Sequence, residues 1–309
     1  DWLAALGALD QTALSEPAVA ATRTAEAREA LARLTGSADH PLYLEEEGRA
    51  LRQAGELEAA AVHLQRARAR YAEAFGPDSV HVASVDVERA KISAARGEVA
   101  AAARLAAQAG AILERRPGEP MTLDERVAIA GILARDALER GAYAEALARD
   151  CAALEMLTAA AVPVHAVNEA QFAAGCAEIL VLVEELRDVR QARARVDQAL
   201  ASLRRAGALA GPEDAQYVLR VAADVALAEG AVPEVLRLAA EVHGLLRLAP
   251  AQETEARILF IEAKALGPRD PTGRSLAERA RDLERARGAL DSVAEIEQWI
   301  ASWSDRGPR

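Results

Sequence analysis

Several residue types are scarce in this chain, and each scarcity excludes a class of protein. Two of the 309 residues are cysteine, too few for the disulfide framework of a small secreted domain. The longest strongly apolar run, at 179–183, is far shorter than the roughly 20 residues that a membrane-spanning helix needs. No basic segment followed by an apolar one marks a secretory signal, so we expect a cytoplasmic protein.

Positive charge is also in short supply. Lys and Arg number 37 against 48 Asp and Glu, the formal net charge is −11, and the lysines are Lys91 and Lys264 alone. A chain of this charge repels polyanions, so we expect no nucleic-acid partner. Aromatic residues make up 3% of the chain, yet apolar residues make up 51%. That apolar content is enough to bury a core, which excludes a disordered chain.

Local motifs for catalysis and for cofactor or metal binding are missing. No two of the 19 glycines are two residues apart, which removes the dinucleotide fingerprint and the glycine-rich loop of kinases. No histidine lies within five residues of another histidine or of a cysteine, so there is no local zinc signature. Cys151 and Cys176 lie in apolar stretches, and we expect them to pack as small hydrophobic side chains rather than to act as redox groups or nucleophiles. We therefore predict a non-catalytic chain with no cofactor.

The chain repeats a helical unit of 42 to 46 residues. Gly55, Gly97 and Gly141 lie 42 and 44 residues apart, and Gly230 follows 89 residues later, with Arg187 in the place of the missing glycine. Each glycine separates two segments of helical periodicity, where a positive φ between antiparallel helices is expected. Small residues that would let two helix backbones approach closely recur seven residues before the glycines: Gly48, Ala90, Ala134 and Ala223.

This pattern resembles the tetratricopeptide repeat in the long-period form of kinesin light chains. The family's connector Gly-Pro-Asp-His-Pro-x-Val-Ala is similar to Gly76-Pro77-Asp78-Ser79-Val80-His81-Val82-Ala83, and Asp39-His40-Pro41 is a weaker copy. The resemblance implies an all-α fold, a right-handed superhelical solenoid of antiparallel helix hairpins. We predict a single domain over 1–309, with a partial repeat at 16–35, a capping helix at 291–303 that carries Trp299 and Trp303, and helix pairs at 41–75, 79–116, 121–160, 164–207, 212–247 and 251–289.

In that family the first helix of each pair lines a concave groove, at positions thirteen, ten, six and three residues before the inter-helix glycine. The resemblance carries these positions onto Leu42, Glu45, Arg49 and Arg52; Ser84, Val87, Lys91 and Ala94; Ala128, Gly131, Arg135 and Leu138; Ala174, Ala177, Val181 and Glu184; and Tyr217, Arg220, Asp224 and Leu227. The candidate peptide-binding residues among them are Glu45, Arg49, Arg52, Lys91, Arg135, Tyr217 and Arg220.

The basic members of this set lead us to predict that the groove binds an acidic peptide or a chain-terminal carboxylate, because Arg and Lys form charge-assisted hydrogen bonds to carboxylates. Tyr217 would then be a groove anchor. The alternative interpretation is that the arginines, which are plentiful here, occupy solvated helix faces and that Tyr217 belongs to the core.

A second resemblance concerns the C-terminal segment. Ala277-Glu278-Arg279-Ala280 and Ala294-Glu295-Ile296-Glu297-Gln298-Trp299-Ile300 are similar to the ends of large bacterial serine/threonine protein kinases, common in myxobacteria, in which long-period repeats follow a kinase domain. The resemblance implies the regulatory or partner-recruiting region of such a kinase. The motifs His-Arg-Asp and Asp-Phe-Gly are missing from this chain.

The alternative function is that of a sensor, a helical-repeat domain that binds a small ligand and regulates an attached enzyme or transcription activator. A long charged groove favours a peptide partner, whereas a deep apolar pocket favours a small ligand. The sequence leaves the identity of the partner and the oligomeric state open.

Overall fold

A computed structural model describes residues 39–115, 122–162, 165–267 and 269–302. Within these residues the chain forms thirteen α-helices and two short 3₁₀ helices, with no strand. Within each of its two compact units successive helices pack together in hairpins, and the predicted fold class of an all-α hairpin repeat is confirmed. The predicted partial repeat at 16–35 and Trp303 lie outside the described residues.

The chain divides into two compact units, Asp1–Arg149 and Asp150–Arg309. The first unit contains α1 (Pro41–Gln53), α2 (Leu57–Phe75), α3 (Val80–Ala95), α4 (Val99–Glu114) and α5 (Leu123–Glu139). Helix α6 (Tyr143–Ala160) begins in the first unit and ends in the second. The second unit contains α7 (Ala166–Leu182), α8 (Val189–Ala206), α9 (Pro212–Ala228), α10 (Val232–Leu246), α11 (Gln252–Leu266), α12 (Pro271–Arg287) and α13 (Leu290–Ala301). No helix in the described ranges is long and apolar enough to cross a membrane.

One turn geometry joins the two helices of a pair. At Gly55 φ is +80°, the glycine N–H bonds to Arg52 O at 3.0 Å, and the next N–H, that of Glu56, reaches back to Leu51 O at 2.9 Å. Glycine adopts this φ without the steric penalty that a Cβ brings. The same bonds recur at Gly97, Gly141, Gly230 and Gly288, each with a φ between +72° and +77°. The positive φ predicted for the inter-helix glycines is therefore confirmed.

The fourth pair departs from this geometry. Helix α7 ends at Leu182, a 3₁₀ helix follows at Glu184–Leu186, and the N–H of Asp188 reaches back to Leu180 O at 3.0 Å. In the other pairs the corresponding bond spans five residues, so three extra residues are inserted here. The groove positions on α7 were counted back from Arg187 as if it stood in the place of the inter-helix glycine, and they were therefore wrong by three residues. The first-helix positions move from Ala174, Ala177, Val181 and Glu184 to Gln171, Ala174, Glu178 and Val181.

Small residues let the helices of a hairpin approach closely. In the first unit, Leu44 of α1 and Leu64 of α2 are fully buried in one apolar cluster. Gly48 faces Leu64 so closely that a Cβ there would lie 2.6 Å from Leu64 Cγ. The small residue that was predicted at this position is thus required by the packing of α1 on α2.

The closing helix α13 packs on the last hairpin of the second unit. Its Trp299 meets Phe260 of α11 edge-on, with the ring centroids 5.6 Å apart. Ile296 of the same helix is buried in a cluster with residues of α11 and α12. The tryptophan therefore covers apolar surface of the preceding repeat.

Candidate peptide-binding surface

The first helices of successive pairs lie side by side within each unit. In the first unit α3 packs against α1 and α5, and in the second unit α9 packs against α7 and α11. Equivalent positions on neighbouring first helices therefore come close together. The predicted groove residues fall into two clusters of charged side chains, one in each unit.

The N-terminal cluster is centred on Glu88, a carboxylate of α3 that the groove positions did not include. Glu88 is 6% exposed and lies among three of the predicted groove cations. Lys91 Nζ donates to its Oε1 at 2.6 Å, and Arg52 Nε donates to its Oε2 at 3.1 Å. Arg49 Nε lies 3.9 Å from Oε1. The structure thus brings three predicted residues together around one carboxylate.

Glu45 completes the N-terminal cluster. Arg49 Nη2 donates to its Oε1 at 2.6 Å, and Tyr71 Oη donates to its Oε2 at 2.9 Å. Burial raises the pKa of Glu45 despite the charge of Arg49 and the Tyr71 hydrogen bond. Burial also disfavours the charged form of Glu88, but the charges of Lys91, Arg49 and Arg52 outweigh it and lower the pKa of Glu88.

The positive charges of the N-terminal cluster are already matched. Arg49 pairs with Glu46 at 3.0 Å as well as with Glu45, while Lys91 and Arg52 share Glu88. A carboxylate of a partner would have to compete with these internal partners for the same donors. The cluster is therefore an ion-pair network that ties α1 to α3, rather than a surface of free positive charge.

Arg135 lies on α5 with its side chain 57% exposed and Glu139 Oε1 at 4.0 Å. In the described part of the chain, no hydrogen bond or ion pair joins it to the N-terminal cluster. Arg135 therefore offers its guanidinium to solvent.

The C-terminal cluster is built around Glu178 of α7. Tyr217 Oη donates to Glu178 Oε2 at 3.0 Å, and Arg220 Nη2 lies 2.8 Å from Glu178 Oε1. Arg220 also donates to Asp224 Oδ2 at 3.2 Å and is 7% exposed. Arg257 of α11 approaches the same two carboxylates, at 3.6 Å from Glu178 and 4.0 Å from Asp224.

The two predicted residues of this cluster are held by their neighbours. The Arg220 guanidinium lies 5.2 Å from the centroid of the Tyr217 ring. Burial and the charge of Glu178 raise the pKa of Tyr217 well above its usual value. Burial raises the pKa of Asp224, against the opposing charges of Arg220 and Arg257. Tyr217 and Arg220 thus form the buried floor of the C-terminal cluster.

Arg257 is a cation that the sequence analysis missed, because groove positions were not counted back from Gly267. That glycine ends α11 with a φ of +80°, and Arg257 lies ten residues before it. Among the described residues Arg257 makes no hydrogen bond, since its carboxylate neighbours lie beyond hydrogen-bond distance. Its side chain is 37% exposed. It is therefore a guanidinium with donors available to a further acceptor.

A pocket of about 330 Å³ opens beside Arg257. Its apolar walls come from Leu182, Phe260, Ile261 and Ile296, and its charged walls from Asp224, Arg257, Lys264, Glu284 and Glu295. Lys264 Nζ donates to Glu295 Oε1 at 2.8 Å and lies 4.1 Å from the centroid of the Phe260 ring. The pocket combines apolar contact with charged groups of both signs, which suits a peptide segment.

Comparison with known proteins shows the fold. No protein-family model matches the sequence, and no curated protein matches it. The structure is similar to the crystal structure of the apo form of RapI, with 13% sequence identity, a TM-score of 0.60, and coverage of 86% of this chain and 97% of that chain. It is also similar to Acl4, an assembly chaperone of RpL4, at 15% identity and a TM-score of 0.49, with coverage of 86% and 96%. The similarity to RapI shows a shared helical-repeat fold.

Proposed function

We propose that this chain is a non-catalytic scaffold for protein–protein interaction and that the first helices of its second unit bind a peptide segment of a partner. The observation that supports this proposal is Arg257. Its guanidinium lines the 330 Å³ pocket and makes no hydrogen bond within the described residues. An interaction surface needs such a donor beside apolar walls, because the apolar contact supplies affinity and the charge supplies specificity.

The partner segment carries a carboxylate in this proposal, as the basic groove residues led us to predict. The site of recognition moves, however, from the N-terminal cluster to Arg257. Lys91, Arg49 and Arg52 are engaged by buried carboxylates, whereas Arg257 stands beyond hydrogen-bond distance of its neighbours. The net charge of −11 supports a protein partner over a nucleic acid.

The similarity of the C-terminal segment to bacterial kinases supports a more specific role. We propose that the chain is the regulatory or partner-recruiting repeat region of a cytoplasmic serine/threonine kinase. It would bring a substrate or a regulator to the catalytic domain without taking part in phosphoryl transfer. Arg135, exposed on α5, is a separate candidate contact within the first unit.

A sensor of small ligands is the second candidate function. The volume of the pocket, about 330 Å³, falls at the lower end of the range for small-molecule sites. Its charged walls would then select a ligand with both an anionic and a cationic group.

The experiment that tests the proposal is affinity capture from a lysate of the source organism, at low salt and at about 0.5 M salt, where surface ion pairs are screened. Captured proteins are identified by mass spectrometry, and their affinity is measured by titration. Arg257→Gln should weaken the binding of the partner at least about tenfold, which corresponds to about 1.4 kcal/mol.

Arg237→Gln is the matched control. Arg237 is exposed on α10 in the same unit and pairs with Glu241, so its loss should leave partner binding unchanged. Arg135→Glu tests the first unit in the same way. Equal binding by the wild-type chain and Arg257→Gln would refute the assigned surface. Thermal stabilisation by a metabolite pool, without any captured protein, would favour the sensor.

A further inference from the structure

The fold brings the two cysteines of the chain into contact. Cys151 lies on α6 and Cys176 on α7, 25 residues apart in sequence, and their Sγ atoms are 2.8 Å apart. Cys176 is fully buried, whereas Cys151 is partly exposed. The sequence analysis predicted two inert side chains in separate apolar stretches. The structure shows a pair of thiols in which one member is accessible to solvent.

The position of the pair is suited to a disulfide bond. The distance between the sulfur atoms exceeds the ~2.05 Å length of a disulfide bond by less than about 1 Å. The thiols belong to consecutive helices of different hairpins, so a bond between them would fasten α6 to α7 within the second unit. A bond between turns of a single helix would restrain much less of the chain.

The charges around the pair make Cys151 the more reactive thiol. The pKa of Cys151 falls to about 7, because the hydrogen bond from Cys176 and the charge of Arg195 on α8 together outweigh burial. Asp150 and Glu155 oppose this with their negative charges. The hydrogen bond and burial raise the pKa of Cys176. A thiolate therefore forms first on the accessible sulfur.

We propose that Cys151 and Cys176 are a redox modification site, at which a low-molecular-weight disulfide such as oxidised glutathione converts the two thiols into an intramolecular disulfide. The Cys151 thiolate attacks one sulfur of the small disulfide, forms a mixed disulfide and releases one small thiolate. The sulfur of Cys176 then attacks Cys151 Sγ and expels the second small thiolate, which takes up the proton of Cys176. The protein loses two electrons and two protons, and the small disulfide becomes two thiols.

Oxidation at this site would restrain the C-terminal cluster. Cys176 precedes Glu178 by two residues on α7, and Glu178 holds both Tyr217 and Arg220 of α9. A bond to α6 would limit the movement of α7 and of the carboxylate that organises these residues. This redox site depends on the position of the two thiols and does not require the proposed partner.

The test uses the whole chain at low concentration in glutathione buffers of increasing oxidation. Mass spectrometry under denaturing conditions counts free thiols, disulfides and glutathione adducts. We expect both thiols to disappear together, with the loss of two hydrogens, no glutathione adduct and no dimer on a non-reducing gel. Dithiothreitol should restore both thiols. The protected amides of α7 should exchange more slowly in the oxidised protein.

Variants separate the two steps. Cys176→Ser should stop at a mixed disulfide that carries one glutathione on Cys151. Arg195→Met should slow the reaction of Cys151 about threefold or more at pH 6, because less thiolate is present. Arg204→Met changes an exposed arginine of the same helix and should leave this rate unchanged.

Three results on the wild-type chain would overturn the proposal. They are the persistence of both thiols in a strongly oxidising buffer, the accumulation of a glutathione adduct as the final product, and oxidation to intermolecular dimers alone. Each of these outcomes would show that the two sulfur atoms do not approach as the structure places them. The wild-type measurements decide the matter even where a variant folds poorly.

Discussion

Replacing Gly48 with alanine measures how closely α1 and α2 approach each other. A Cβ at this position would lie 2.6 Å from Leu64 Cγ and 2.8 Å from Leu64 Cδ2. Leu64 is fully buried, so it has no open space into which to move. Gly110 in α4 provides the matched control in the same unit. A Cβ there would lie 3.7 Å from the side chain of Ile129, an ordinary van der Waals contact.

Two opposing contributions set the change in the free energy of unfolding that Gly48→Ala causes. Alanine in place of a helical glycine stabilises the helix by about 0.5–1 kcal/mol, and this gain applies at both positions. Overpacking against Leu64 costs about 1–3 kcal/mol at Gly48 alone. Because the helical contribution cancels in a comparison, Gly48→Ala should be about 1–3 kcal/mol less stable than Gly110→Ala.

Urea unfolding followed by far-ultraviolet circular dichroism measures this difference through the midpoints, provided that the m-values agree. Both glycines belong to the first unit, so both variants report on its unfolding. In a Leu64→Ala background the Gly48→Ala change should lose its cost, because the obstructing side chain is gone. If Gly48→Ala raises the midpoint as much as Gly110→Ala does, the close approach of α1 and α2 is refuted.

Two other side chains should control stability. Burial and, to a smaller extent, the charge of Glu178 raise the pKa of Asp150 from its usual 3.8 to about 7. Between these two pH values the folded state therefore keeps a proton that the unfolded state has released. The free energy of unfolding should therefore fall as pH rises from about 4 to 7, by at most about 4 kcal/mol. Asp150→Asn should remove this dependence when unfolding is measured at several pH values, and an unchanged slope would contradict it. Thr122 caps α5, because its hydroxyl accepts a hydrogen bond from the Glu125 N–H at 3.2 Å. Thr122→Ala should therefore lower the free energy of unfolding by about 1 kcal/mol, measured with urea at pH 7. A loss near zero would show that the cap contributes nothing to stability.

The parts of the candidate site that the sequence predicted are those with a local signal. Arg49 and Lys91 lie six residues before Gly55 and Gly97, and Arg52 lies three residues before Gly55. The structure brings the three side chains together. Glu88 was missed because the predicted groove position on α3 is the residue before it, Val87. It nevertheless stands three residues before Lys91 on the same helix. Glu178 was missed because the three-residue insertion after α7 has no counterpart in the other pairs.

The sequence by itself determined the helix hairpins of this protein. Glycine turns, the cap at Thr122 and the periodic apolar residues act over a few residues, so their effect can be recognised without the rest of the chain. Only the tertiary structure decided which charges and thiols meet. Arg52 lies 36 residues from Glu88, and Cys151 lies 25 residues from Cys176. Such contacts depend on how neighbouring helices stack and on the register of each pair. A shift of three residues in one connection is enough to put Glu178, in place of Val181, at the groove position six residues before the turn.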